Sequence, residues 1–476
     1  DHPWREQAWH LLALALYRAD RQGEALSVLR RARALLAQHL GLDPGRALRR
    51  LERDILHQAA HLDAPDGAEP VEPRTRTSAP IDALERLWRR TAHAYRDHPG
   101  PRARLDSTMG LVRTLAVTEP AGPGIAHARR LEAITAAQEL GDAELTARVI
   151  GAYDVPANWT RSDHPEQAAR VVTAAEHTLT ALGEQGHHAL RARLLATIAL
   201  ETRGSRAQRP RQAALEAEHL ARELADPTLV AFALNGRWMQ TFHRTGLATE
   251  RARIGTELID LSTRQGLESF EILGHLIALQ SGAAHADLER ADHHAQAAHH
   301  LAQRHERPLV EVFVGWYRAL RLDLRTDDPY QAVHAYREAA ARTTGAGMPG
   351  LHHGLLPLAL ACLRLRHDLS WQEEPGTEWG PHEPWVRPLR LLAQDRHEEA
   401  AHHLRTAPDP DPGLLAEAHW GLLAHAALAL EEESVLRRVR HALSPAREEH
   451  AGAASAMFTL GPISDLLQAI DQAVHR

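Results

Sequence analysis

The chain has 476 residues and no lysine, one cysteine and only 4% aromatic residues. Without lysine, arginine carries all 55 basic side chains. A Walker A phosphate loop sets a Lys against the β- and γ-phosphates, so a standard P-loop is excluded. Schiff-base chemistry through a lysine is excluded with it. Cys362 has no second cysteine to pair with, which fits a reducing compartment, and a Cys–His zinc spacing cannot be assembled from one thiol. Uncharged apolar runs of eighteen residues are missing, as is a charged-then-apolar opening, so neither a membrane-spanning helix nor a secretory signal is expected. These readings point to a cytoplasmic protein without membrane contact. The formal charge of −7 argues against a broad phosphate-binding surface, although it leaves room for a local basic patch.

What is present is helix-forming. Ala, Leu and Arg dominate, and β-branched runs are scarce, a mix that favours helix over strand. Leu11, Leu12, Leu14 and Ala15 fall on one helical stripe. Gly23 interrupts it, and a second amphipathic stretch runs from about 24 to 40. Gly41 suits a left-handed C′ position. Asp43 and Pro44 then suit the N-cap and N1 of a helix carrying Leu48, Leu51 and Ile55. Residues 63–80, DAPDGAEPVEPRTRTSAP, are rich in Pro and charge and have too little apolar surface to fold. The expected division is 1–60, a linker over 61–80, and 81–476. A second irregular stretch at 370–385 carries three tryptophans and reads as a packed loop.

An internal repeat is the strongest signal. Ala213, Ala252, Ala291 and Ala332 recur at spacings of 39, 39 and 41 residues, each opening the second helix of a hairpin. Weaker copies lie around Ala126, Ala168 and Ala400. A helix pair cannot bury its own stripe, so neighbouring hairpins stack. The expected fold is all-α: an α-solenoid, a superhelix of TPR-like helical hairpins, rather than a bundle of unrelated hairpins.

Histidine is abundant, at 34, yet its spacing is wrong for a metal. His293, His294, His299 and His300 are separated by one, five, six or seven residues, and seven residues rise about 10 Å along a helix. Chelating pairs on one helix sit three or four apart, so a solvated face is expected. The adjacent pairs His187–His188, His352–His353 and His402–His403 point in diverging directions. With no metal set, no cofactor motif and no nucleophile–base pair, catalysis is not expected.

Repeat register does suggest a binding strip. Gly236, His275 and Trp316 occupy one equivalent position on three first helices, with Arg237, Leu276 and Tyr317 beside them and Gln240 one turn on. In such hairpins the first helix lines the concave face. Arg237, Gln240, His243, His275, Trp316 and Tyr317 are therefore the expected lining of a ligand groove, with Trp238 in the core.

The opening segment, HPWREQAWHLLALALYRADRQGEALSVLRRARALLAQHLGLDPGRALRRLERDIL, resembles the bacterial transcriptional activator domain of SARP-type antibiotic regulatory proteins. The helix–Gly-Leu-Asp-Pro-Gly–helix signature at 41–45 is its most specific part. Downstream blocks such as NWTRSDHPEQAARVV and RPLVEVFVGWYRALRL resemble the TPR-like C-terminal region of the larger members. The resemblance implies a winged-helix domain upstream that binds promoter DNA. The activator domain would help form a homodimer or contact RNA polymerase, and the repeats would bind a small-molecule effector or a peptide. The chain opens at Asp1 beside a helix and without an initiator Met, and so reads as a piece of a longer protein. Some relatives insert an NTPase module before the repeats; the short linker and missing lysine place this chain outside that class. A repeat scaffold that docks proteins and senses no metabolite is the alternative reading.

Overall fold

The structure, a computed structural model, describes residues 6–18, 45–56, 101–118, 122–371 and 376–474, with isolated positions between 22 and 33. Its contacts divide the chain into two compact units, Asp1–Ser78 and Ala79–Arg476.

In the first unit α1 (Glu6–Arg18) packs on α2 (Arg46–Leu56). Ala13, Ala25, Leu29, Ala32, Leu48, Leu51 and Ile55 form its core. The sequence-predicted apolar side of α2 is thus the buried one. The Gly41–Pro44 turn and the 61–80 linker lie outside the described residues.

Among the described residues, the regular elements of the second unit are all helices. It runs α3 (Pro101–Thr118), α4 (Gly122–Glu139), α5 (Ala143–Gly151), α6 (Pro165–Leu182), α7 (His188–Glu201), α8 (Arg209–Glu223), α9 (Pro227–Gln240) and α10 (Ala248–Gln265). It continues with α11 (Glu268–Ala284), α12 (Leu288–Arg304), α13 (Val310–Arg325), α14 (Pro329–Thr343), the single turn α15 (Pro349–His352) and α16 (Leu355–Arg366). The last five are α17 (Glu383–Leu392), α18 (His397–Thr406), α19 (Ala416–Leu430), α20 (Glu433–Leu443) and α21 (Ile463–Val474). Among the described residues the sole β-type pairing is one isolated antiparallel bridge, His450 with Pro462.

Successive helices pack on each other along the chain, which is the order of a hairpin solenoid. Its turn chemistry repeats. Asp226 and Asp328 cap their helices with side-chain oxygens, each followed by Pro at the first helical position. Ala213, Ala291 and Ala332 of the repeat column are fully buried, and Ala252 partly so, which lets the second helices approach the first. The tightest crossing joins α10 and α11 through two glycines. A Cβ on Gly274 would lie 3.0 Å from the Gly255 carbonyl oxygen and 2.8 Å from Ile259 Cγ1.

The superhelix is wound so tightly that late hairpins return to early ones. The Leu414 amide donates to Thr160 Oγ1 (3.0 Å), and the Arg206 guanidinium donates to the Pro410 carbonyl (2.6 Å). Thr245 donates to the Ala442 carbonyl (2.5 Å), and the His450 amide to that of Ala284 (2.7 Å). Gly246, at φ 76°, sits where an added Cβ would meet the Pro445 carbonyl at 2.1 Å, so glycine is required at this closure. In the second irregular stretch Trp371 and Trp379 stack at 5.9 Å, and Trp385 is buried and donates to the Pro408 carbonyl. The described part of that stretch is a packed loop leading into α17.

Candidate functional site

A segment without helical period, residues 152–164, connects α5 to α6. Four anchors fix it. Asn235 of α9 exchanges two hydrogen bonds of 2.9 Å with the Ala157 backbone, as a neighbouring strand would. Trp159 Nε1 donates to the Gly350 carbonyl (3.2 Å), and the Gly350 amide donates to Asp163 Oδ1 (2.8 Å). Thr160 holds Leu414, as above.

Beneath this segment lies a cavity of about 200 Å³. Its walls come from α3, α4, α7, α9, α11, the start of α13 and the 152–164 segment itself, with Met348 completing it. Much of the wall is apolar: Phe232, Ile272, Leu273, Leu276, Val310 and Phe313 among others. On one side stands a group of polar residues. Arg130 of α4 is 2% exposed and donates to Glu201 at the end of α7. Its guanidinium also lies over the Tyr153 ring, 4.3 Å from the centroid. Arg203 approaches the other Glu201 oxygen at 3.9 Å and donates to the Leu200 carbonyl.

Electrostatics sort these groups. Burial alone would raise the Glu201 carboxyl, but Arg130, Arg203 and His127 outweigh it and hold the group below the usual carboxylate range. Burial lowers His127, and the nearby Glu201 does not restore it, so its ring is neutral near pH 7. Burial pushes the Tyr153 hydroxyl up to about 12, so it stays protonated. The site can hold charge and donate hydrogen bonds; it has no activated nucleophile.

The six residues expected to line a groove lie elsewhere, and none borders this cavity. Arg237 bridges Glu218 (2.9 Å) and Glu250 (3.4 Å), on α8 and α10. Gln240 is buried and donates to the Ala199 carbonyl of α7 (2.7 Å). His243 is exposed, its Nδ1 2.9 Å from the Gln240 carbonyl oxygen. His275 is buried against His294, Nδ1 to Nδ1 3.0 Å. Burial, with His294 adding to it, pushes His275 down to about 4, so it does not titrate near neutrality as its residue type suggested. Trp316 is fully buried, its ring 6.0 Å from that of Tyr336. Tyr317 donates to Asp292 (2.7 Å).

The shared register explains the difference. Gly236 faces the preceding hairpin, where its Cβ would meet Ala199 at 3.2 Å, whereas His275 and Trp316 face the second helix of their own hairpin. Equivalent spacing therefore does not give one common strip. Leu276, beside His275, is the member of that register that reaches the cavity. Trp238 is in the core, as expected. The histidine run on α12 is not a uniformly solvated face: His294 turns to α11 and His299 to Glu311 of α13. Among the described residues, no group of three or more His, Cys, Asp or Glu side chains is placed to hold a metal ion. Asn158, Arg130, Glu201 and Arg203 escaped sequence reasoning. The available signal was that DVPANWTRSDHP breaks the helical period while keeping a tryptophan.

Among comparisons with known proteins, a family match falls at the start of the chain. Residues 1–56 match the family model of the bacterial transcriptional activator domain. Over these residues the chain is similar to bacterial transcriptional activator domains. Over 69 residues, 14% of the chain, the sequence is 46% identical to the transcriptional regulatory protein EmbR of Mycobacterium tuberculosis, covering 18% of that protein. It is 47% identical over 79 residues to the regulatory protein AfsR of Streptomyces coelicolor, 17% of this chain and 8% of that one. The transcriptional regulator RedD of the same organism is 43% identical over 75 residues, 15% and 21%. The chain thus spans no more than about a fifth of the length of these relatives. Among solved structures, a circular tandem repeat protein with novel repeat topology aligns over 99% of this chain and 90% of its own. Its identity is 12% and its TM-score 0.15. No helix among the described residues is long and apolar enough to cross a membrane.

Proposed function

We propose that this chain is the regulatory portion of a SARP-type transcriptional activator, whose helical array senses a small molecule in the cavity under the 152–164 segment. In this reading a winged-helix domain upstream binds promoter DNA. The activator domain dimerises the protein or contacts RNA polymerase. The regulator works in the cytoplasm on genes of secondary-metabolite biosynthesis.

The observation that carries the sensing role is the cavity. At about 200 Å³ it lies below the roughly 300–1,000 Å³ of drug-sized sites, which suits a small molecule and not a peptide helix. Its lining is apolar with a few convergent polar groups, the usual composition of a ligand site. The segment above it is tied to α9, Gly350 and Leu414, so occupancy is coupled to hairpins far apart in the chain.

The test uses the full-length regulator. Chromatin capture supplies a promoter it occupies, and a reporter on that promoter reads activation with and without a culture extract of small molecules. Leu276→Trp fills the cavity. The expected result is a reporter that no longer responds to extract, with the helical content of the variant unchanged. A filled variant that responds like wild type overturns the sensing role.

A further inference from the structure

Residues that line the cavity carry polar atoms that the fold itself leaves unused. The Asn158 amide nitrogen and oxygen are both buried and without a hydrogen-bond partner. The Thr197 hydroxyl, on a residue 1% exposed, also has none. The same is true of the Nε atoms of Arg130, Arg203 and Arg307. Five of these six atoms are donors, and only the Asn158 oxygen is purely an acceptor. Native folds satisfy most buried polar atoms, so such a cluster in one cavity points to something that accepts hydrogen bonds there.

Charge narrows the choice. The wall holds three guanidinium groups, of Arg130, Arg203 and Arg307, against two carboxylates, Glu201 and Asp163. His127 is neutral near pH 7, as derived above. Glu268 also approaches Arg307, at 3.9 Å, but it is half exposed and does not line the cavity. Among the groups that line the cavity, one positive charge is left over. A single negative charge balances it, whereas a dianionic phosphate would leave a buried negative charge of its own. The remaining wall, from Ile272 and Leu276 on α11 to Phe313 on α13, is apolar.

On the reading that the cavity is the effector site, we infer that its ligand is a small amphipathic carboxylic acid bound as the monoanion. The carboxylate lies against Arg203 and Asn158, and the hydrocarbon part lies along Ile272, Leu276 and Phe313. Arg203 is the main hand for the anion: its side chain is 9% exposed, its Nε is free, and its pairing with Glu201 is the longer of the two. Guanidinium and carboxylate match in planar, two-pronged geometry.

The experiment titrates the full chain by calorimetry with three probes of equal length: octanoate, octan-1-ol and octylammonium. Octanoate is expected to bind at least about tenfold more tightly than octanol, a factor corresponding to one charge-assisted hydrogen bond. Octylammonium is expected to be weakest. Arg203→Gln is expected to remove the octanoate preference while leaving octanol binding in place. Because Arg203 also neighbours Glu201, Asn158→Leu provides a second variant: its side chain makes no hydrogen bond in the fold, and its loss is expected to weaken octanoate by about tenfold without changing the melting temperature. If octanol binds as well as octanoate, the anionic ligand is refuted while a sensing cavity survives. If none of the three probes binds, the ligand class proposed here is refuted. If the Leu276→Trp reporter is unaffected, the sensing role falls with it.

Discussion

Glu201 is the point where the cavity's charge balance is most exposed to test. Its side chain is 8% exposed, between Arg130 at 2% and Arg203 at 9%. Glu201→Gln keeps the shape and removes the charge, leaving two buried guanidinium groups facing each other across an amide. At about 4 Å and an effective dielectric near 20, one such ion pair is worth roughly 4 kcal/mol before desolvation is counted. Removing one partner of a buried pair costs about 3–5 kcal/mol, because the surviving charge stays buried. That is a large share of the roughly 5–15 kcal/mol that holds a folded chain together. Urea unfolding followed by far-UV circular dichroism at pH 7 reads the loss directly. The pH dependence supplies a second signature. The folded-state value of Glu201 is held below the ordinary 4.5, so its stabilisation is present above 4.5 and disappears as pH falls through the folded value. Wild type and variant therefore converge on acidification. A loss under about 1 kcal/mol at pH 7 would mean that solvent reaches these guanidinium groups, and the buried-charge reading of the cavity would be refuted.

Other perturbations follow from the packing. Gly274→Ala forces a methyl against the Gly255 carbonyl and the Ile259 side chain, and a loss of about 1–3 kcal/mol is expected in the same unfolding assay. Trp316→Ala empties a fully buried site and is expected to cost about 3–5 kcal/mol; a near-neutral result would place the ring outside the core. Burial, with the Glu449 carboxylate adding to it, raises Glu417, so ionising it in the folded state is unfavourable as pH climbs above the ordinary 4.5. Glu417→Gln is expected to match wild type below pH 4.5, to gain on it as pH rises towards about 8, and to hold a constant margin above that. A gain that shrinks with rising pH would reverse the assigned direction.

Local structure was legible in the sequence because it is encoded locally. The 39-residue recurrence of small residues marks the close approaches of hairpin helices, and Leu48, Leu51 and Ile55 mark the buried side of α2. The cavity was not legible, because its residues do not recur. Arg130 and Glu201 are 71 positions apart, and Trp159 meets Gly350 across 191. No period links such pairs. The expected strip relied on register alone, and register does not say whether a given face meets the previous helix, the next one or solvent. Gln240 illustrates this: its partner is the Ala199 carbonyl of an earlier hairpin.

The contacts that bring Leu414 to Thr160, Ala442 to Thr245 and His450 to Ala284 also limit how this architecture can change over generations. An open solenoid is modular: a repeat can be duplicated or lost, and each neighbour still meets a neighbour of the same kind. Here the spiral must arrive at a set position after a set number of hairpins, or three separate junctions fail to meet. A change in repeat count is therefore expected to break these junctions, while a side-chain change within a hairpin leaves them in place. Lineages carrying this array should keep its hairpin number constant even where sequence has drifted far.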